Sequence, residues 1–399
     1  MDYIITANGN LTSFVFYNEV IAQLHSYFAE GNQSHIMFDF SHIKRIDPLV
    51  LSNLLCAGYW ISQHRGAPAK IFIPGNLEFA PLRTFLNRTR FVEISQTYGL
   101  FEFDECISGG LKETVFSDTL NRLELFQIED MDTDNSAGEN AQKIDVDATR
   151  LEAWSKLKKA FIPFINEFLQ KSTDQYIVTH RKEIASALLS FCRELIENAL
   201  LHGRSFCFLN MQYSSTFGQQ MKISISDCGM GFKRSINADR KRSQHILALE
   251  KQYKERIGQE REHLGIEIGQ LLRQCYPLRH TPPEHDDVHR LDDYPYMDSE
   301  LKGIVYGLLS RRSKPYGLYN IHHRIIHKMG GTIRIHSNDT QLILSRRMWA
   351  PLEVCKTPEA LLEQLSNPQY AANVRTDLTF KGTHIEIELM LDGHEEDCI

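Results

Sequence analysis

Two hydrophobic spacings alternate along this 399-residue chain, and the alternation restricts its fold more than any single motif does. Apolar runs of strand length stand at Ile36–Phe40 (IMFDF), Lys70–Ile73 (KIFI) and Phe91–Ile94 (FVEI). Runs this short and this apolar read as buried strands. Between them the spacing turns helical. Pro48 stands where a helix can begin, LVLSNLLCAGYWISQH continues it, and Pro81–Asn87 reads as a short second helix. Strands alternating with helices predict a small α/β domain over residues 1–110, with a largely parallel or mixed sheet.

The pattern breaks and then resumes. Residues 111–150 are assigned to a linker, because IEDMDTDNSAGENAQKIDVD (128–147) is acidic and poor in large apolar residues. Such text buries too little surface to offset its ordering entropy and reads as a mobile segment, although an ordered surface loop fits the same composition. A second α/β region follows over 151–399. Arg181–Leu201 is an amphipathic helix with Ile184, Leu188, Phe191, Leu195 and Ala199 down one face. Phe206–Gln212, Met221–Ser226, Thr332–His336 and His384–Leu391 read as strands. Asp239–Gln274, Ser299–Leu309 and Tyr319–Lys328 read as helices, and Arg279–Tyr296 as irregular.

Bulk properties exclude several functions. A net charge of −7 argues against a protein built to grip nucleic acid. No apolar run is long enough to cross a bilayer, and MDYIITANGN lacks the basic and apolar blocks of a signal peptide, so a cytoplasmic protein is expected. The eight cysteines are scattered without a CxxC pair, which predicts reduced, mostly buried thiols.

Four separated segments can build one nucleotide site. In RELIENALLHG, Glu194 and Asn198 lie four apart and share a helix face. Asn198 can offer an amide oxygen to a hard cation, and Glu194 can take a proton from a nucleophile. In SDCGMGF, directly after a strand, Gly229 and Gly231 let backbone approach a flat ligand, and Asp227 can accept from an exocyclic amine. In KPYGLYNIHHRIIHKMGG, Gly317 precedes a helix start and Lys314, Arg311 and Arg312 bring positive charge, as phosphate binding requires. In KGTHIEIEL, Gly382 and Thr383 open a strand and the threonine hydroxyl can touch phosphate. Each segment alone also fits a solvated helix face or a plain turn.

Taken in order, Glu194…Asn198, Asp227…Gly229…Gly231, Gly317-Leu318 and Gly382-Thr383 resemble the N, G1, G2 and G3 boxes of the GHKL ATP-binding proteins. That group includes histidine kinases, Hsp90, MutL and the anti-sigma serine kinases. The His202-Gly203 pair after the N box is similar to the anti-sigma subgroup. The resemblance implies an α/β sandwich of the α+β type, with helices over a mixed antiparallel sheet and Mg²⁺-ATP between them. It places Mg²⁺ on Asn198 and adenine on Asp227. His202, Gly229, Gly231, Lys314, Gly317, Leu318, Gly382 and Thr383 would lie around the nucleotide, with a lid formed by an insertion at 233–313. Kinases carry Gly-x-Gly at the third box, where this chain has Pro315-Tyr316-Gly317.

The first domain resembles the STAS fold of anti-sigma-factor antagonists through HIMFDFSHIKRIDPLVLSNLL. Leu49 occupies the place of that family's phosphorylatable serine, so phosphorylation there is excluded. The expectation is an ATPase with Glu194 as base, whose nucleotide state switches contacts with a protein partner or with its own STAS-like domain. An anti-sigma-type serine kinase and a non-hydrolysing ATP-gated module are the alternatives, and a homodimer is left open. His280, Glu284, His285, Asp286, Asp287 and His289 follow no firm zinc spacing and are read as a polar loop. His180 lies on the Glu194 helix, which sets aside a separate phosphoacceptor hairpin.

Overall fold

Residues 2–103, 119–127, 146–171, 175–214, 220–238, 241, 296–309, 326, 331–345, 355 and 357–390 are described in the computed structural model. In the first domain β1 (Tyr3–Thr6), β3 (Ile36–Asp39), β5 (Ala69–Phe72) and β6 (Phe101–Phe103) form a sheet in the order β1-β3-β5-β6. Every pairing in it is parallel, in line with the expected α/β alternation. β2 (Gly9–Leu11) and β4 (Ile43–Ile46) make a second parallel pair. A helical stretch runs through α1 (Ser13–Val15), a π turn and α2 (Ala22–Ala29).

Helix α3 (Pro48–Arg65) begins where Pro48 predicts. Its N-cap Asp47 accepts from Leu49 N at 3.0 Å, and Gly66 closes it in the left-handed conformation, φ 68°. Thirteen of its residues are buried, and they run round its whole circumference. A helix apolar on all sides must be covered on two. The first layer comes from its own domain, where the Phe101 ring packs so closely that a Cβ on Gly58 would lie 2.6 Å from it. The second layer is the sheet of the other domain, where α3 lies across β8, β9 and β13.

The expected strand at Phe91–Ile94 is instead helix α5 (Phe91–Thr97), which follows α4 (Ala80–Arg88). Its buried residues are Phe91, Val92, Ile94 and Ser95, a helical spacing that a four-residue window does not resolve. The strand of this region is β6, a few residues later.

The second sheet has seven strands in the order β12-β11-β10-β13-β9-β8-β7. They are β7 (Thr119–Phe126), β8 (Cys207–Ser214), β9 (Gln220–Asp227), β10 (Thr332–Asn338), β11 (Thr340–Leu344), β12 (Val374–Arg375) and β13 (Phe380–Met390). All six pairings are antiparallel, so the sheet is not mixed among the described residues. β7 corrects the linker assignment of 111–150. Its eight residues pair with β8 from Thr119↔Ser214 to Phe126↔Cys207, and Val146 already opens the next helix. Leu123, Leu125 and Phe126 give this strand enough apolar surface to bury. The acidic text 128–145 lies outside the described residues.

Helices α6 (Val146–Lys171) and α8 (Arg181–Glu197) cover one face of this sheet, flanking the short α7 (Gln175–Thr179). Leu157, Phe161 and Phe168 of α6 join Ile184, Leu188, Phe191 and Leu195 of α8 over Met221, Ile223 and Ile225 of β9. The other face carries α3, so the sheet is a middle layer. No described helix is long and apolar enough to cross a membrane. Cys56, Cys192, Cys207, Cys228 and Cys355 are buried free thiols, as expected, and burial pushes Cys192 up to about 12.

The insertion is shorter than expected. A helix over 231–238 and α9 (Glu300–Leu309) are part of the packed core, with Ile304, Val305 and Leu308 fully buried. The Asn237 amide donates to Met297 O and accepts from Met297 N, both at 2.9 Å, joining the two ends. A lid over all of 233–313 is therefore too long: its flanks belong to the body of the domain. The predicted helices Asp239–Gln274 and Tyr319–Lys328 fall almost wholly outside the described residues.

Candidate functional site

Side chains alternate along β9, so Met221, Ile223, Ile225 and Asp227 face α6 and α8, while Ser224, Ser226 and Cys228 face α3. Asp227 ends the row on the helix-covered face. It stands opposite Thr383 of β13 and Cys207 of β8. It is 6% exposed, and its Oδ1 accepts from Gly229 N at 2.8 Å and Thr383 N at 3.3 Å. Oδ2 takes no hydrogen bond among the described residues. Burial raises the carboxyl to about 7, against the lowering effect of those two N–H donors. A buried carboxylate with one oxygen fixed and one free is suited to accept from a ligand donor.

The glycines around it are set by the chain's own packing. A Cβ on Gly229 would lie 2.5 Å from Gly203 O, and Met230 N donates to that same carbonyl at 3.3 Å. This contact holds the loop after β9 against the end of the α8 region. A Cβ on Gly382, at φ 105°, would lie 1.9 Å from Asp227 O. Gly231, at φ 74°, has no room for a Cβ beside Asn338, Ser337 and Glu300.

Helix α8 ends at Glu197, and a π turn over Asn198–His202 follows, with Gly203 N donating to Asn198 O at 2.8 Å. A π turn inside a helical run is uncommon and often marks a site. Asn198 is half-buried, and its side chain takes no hydrogen bond among the described residues. Glu194 is half-buried one turn earlier, its carbonyl accepting from Asn198 N. Glu197, the other carboxylate nearby, pairs with Arg193 at 2.6 Å and Arg150 at 3.3 Å. The structure thus gathers Asp227, Gly229, Gly231, Gly382 and Thr383 at one sheet end, tied through Gly203 to the turn that begins at Asn198. The side chain of His202, and Lys314, Gly317 and Leu318, lie outside the described residues.

Three residues join this region without a sequence forecast. Glu300 is 5% exposed, and its carboxylate accepts from Asn338 Nδ2 at 2.7 Å, Ser337 Oγ at 2.9 Å and Lys233 N at 3.1 Å. Ser337 Oγ also accepts from Phe232 N at 3.2 Å. These groups cap the helix over 231–238 from within, so its first N–H donors are committed to the protein. The signal for Asn338 was SNDT between two alternating runs, a hairpin turn in which Asn takes φ 50°. Glu300 carried only the weak signal of an acid opening an apolar helix.

Among the described residues no cluster of three or more His, Cys, Asp or Glu could hold a metal ion. No protein-family model, no curated protein and no solved structure matches this chain.

Proposed function

We propose that the chain is a GHKL-type protein that binds Mg²⁺-ATP on the helix-covered face of its seven-stranded sheet and hydrolyses it, preceded by a STAS-like domain. The observation that carries this reading is Asp227: a carboxylate buried at the end of a central strand, with Oδ1 fixed by two backbone donors and no hydrogen bond to Oδ2 among the described residues. It is matched to the exocyclic amine of adenine. Asn198 is then the Mg²⁺ ligand, and the ion offsets phosphate charge. Glu194, one turn earlier on the same face, takes the proton of the attacking water as the γ-phosphoryl group leaves for it, giving ADP and phosphate.

Nucleotide state would then be read by a protein partner. Switching of contacts with the first domain is disfavoured, because Ser52 and Asn53 of α3 are fully buried in a polar contact with the sheet. Separating the domains would exchange those hydrogen bonds for water, at a net cost of about 0.5–1.5 kcal/mol each, and would expose the apolar residues of α3 that face the sheet. Incubation with γ-labelled ATP tests the function. Released phosphate supports the ATPase, label on protein converts the reading to a serine kinase, and binding without turnover converts it to an ATP-gated module. Absence of ATP binding by calorimetry overturns it.

A further inference from the structure

The face of the sheet turned toward α3 is polar where a domain contact would ordinarily be apolar. Ser52 Oγ lies 2.8 Å from Ser224 Oγ and 2.9 Å from Ser226 Oγ. Ser226 also donates to Asn53 Oδ1. The Asn53 amide donates to Glu386 Oε1 of β13 at 2.6 Å and to the Tyr17 hydroxyl at 3.3 Å. Arg334 of β10 closes the chain on Glu386 Oε2 at 2.5 Å. Asn53, Ser52, Ser224 and Ser226 are all fully buried. One residue further on, Cys228 Sγ donates to Cys56 O at 3.6 Å. Ser226 and Cys228 flank Asp227 on β9 and point to the opposite face, and Thr383 flanks His384 on β13 in the same way. The contacts from α3 therefore land on the two residues either side of the carboxylate.

Hydrogen bonds have direction and apolar contacts do not, so a network of this kind fixes one register of helix on sheet. Sliding or lifting α3 breaks several bonds together. The hydroxyl–amide chain from Asn53 to Ser226 holds the last turn of β9, and with it the angle at which Asp227 meets its ligand.

We infer that Ser52 and Asn53 of the first domain are positioning residues for the nucleotide site, so that the first domain is a fixed half of the adenine-recognition apparatus. This rests on the nucleotide reading above. Asn53→Ala removes the amide that bridges β9 and β13, and Ser226→Ala removes a single oxygen from the same chain. Lys222→Met is the control. Lys222 sits five residues before Asp227 and pairs with Asp47 at 2.6 Å, so its loss loosens the same domain contact far from the carboxylate.

The experiment is calorimetry on the full chain with Mg²⁺-ATP and Mg²⁺-GTP, together with urea unfolding of each variant. Guanine carries an oxygen where adenine carries the amine, so the ATP-to-GTP affinity ratio reads the Asp227 contact rather than general stability. Asn53→Ala and Ser226→Ala are expected to weaken ATP about five- to tenfold, the loss of one well-placed hydrogen bond, with GTP little changed. Lys222→Met should lower the unfolding midpoint and leave the ratio intact. If Asn53→Ala does not fold, Ser226→Ala reads the same coupling. Wild-type ratios in the folded Ser226→Ala protein overturn the inference, as does an equal fall in the ratio for Lys222→Met. Failure of the wild type to bind ATP is a separate outcome, which removes the nucleotide reading and this inference with it.

Discussion

Replacing Asp227 by Asn should move stability and ATP affinity in opposite directions, by amounts that follow from burial. The carboxyl has a usual value of 3.8, and burial lifts it to about 7 in the folded chain. Between those values the folded state holds a proton that the unfolded state has released. Stability therefore falls as pH rises from about 4 to about 7, and the loss is complete above that. A shift of about 3 units corresponds to on the order of 4 kcal/mol. Asn cannot ionise, and its carbonyl can still accept from Gly229 and Thr383, so it escapes the loss. Urea unfolding should find the variant's advantage over the wild type growing between pH 5, where only part of the loss has occurred, and pH 8. ATP affinity should move the other way, because adenine loses a charged acceptor worth about 1.5–3 kcal/mol, roughly 10- to 150-fold. In the wild type that affinity should rise as pH passes 7 and the ionised acceptor forms. A stability difference that is the same at pH 5 and pH 8 would refute the electrostatic reasoning. Unchanged ATP affinity in the folded variant would remove Asp227 from the site.

Asn198→Ala should weaken ATP binding in the presence of Mg²⁺ more than with EDTA, and equal losses by calorimetry would count against a ligand role. Glu194→Ala should keep ATP affinity and cut phosphate release by about 10²–10⁴, the usual effect of removing a general base; an unchanged rate would assign the base elsewhere. Glu300→Ala leaves Ser337, Asn338 and the Lys233 N–H without their carboxylate, which should cost about 3 kcal/mol in urea unfolding. Gly382→Ala would put a Cβ 1.9 Å from Asp227 O at φ 105°, so a loss of about 2–4 kcal/mol is expected, and a normal unfolding midpoint would show that β13 shifts freely there.

The α/β alternation was legible because it is local. Pro48 opens α3, Ile36–Asp39 and Ala69–Phe72 are strands, and Arg181–Glu197 is a helix with the forecast residues in its core. The failures lie where a local pattern fits two structures or where pairing decides. FVEI has apolar residues at positions that suit a strand or one helical turn, and it became a helix. TLNRLELF has charges at Arg122 and Glu124 that obscure its strand spacing. Those charges pair with each other at 2.5 Å, and Glu124 with Arg90 of the first domain at 2.6 Å, a context that no window around 119–126 contains. The polar contact of Ser52 and Asn53 was hidden for a related reason. In LVLSNLLCAGYW they look like two hydrophilic steps on an apolar helix, and only the sheet beneath shows that they are fully buried.

At the site, the glycines and the aspartate of SDCGMG stand together, yet the structure gives them different roles. Gly229 is compelled by Gly203 O and Gly231 by Asn338, Ser337 and Glu300, so both are required before any ligand is considered. Gly382 is likewise compelled by Asp227 O. A motif of this type therefore reports close backbone packing as readily as it reports a ligand, and its glycines alone do not distinguish the two. Asp227 does. A serine or asparagine could accept the Gly229 and Thr383 N–H groups without the penalty of burying a charge, as Ser224 and Ser226 show by lying fully buried on the same strand. Among the described residues no group donates to the second carboxylate oxygen, and burial of the carboxyl destabilises the fold near neutral pH. The proposed ligand contact therefore rests on Asp227, a residue that costs the fold stability and whose Oδ2 has no hydrogen-bond partner among the described residues.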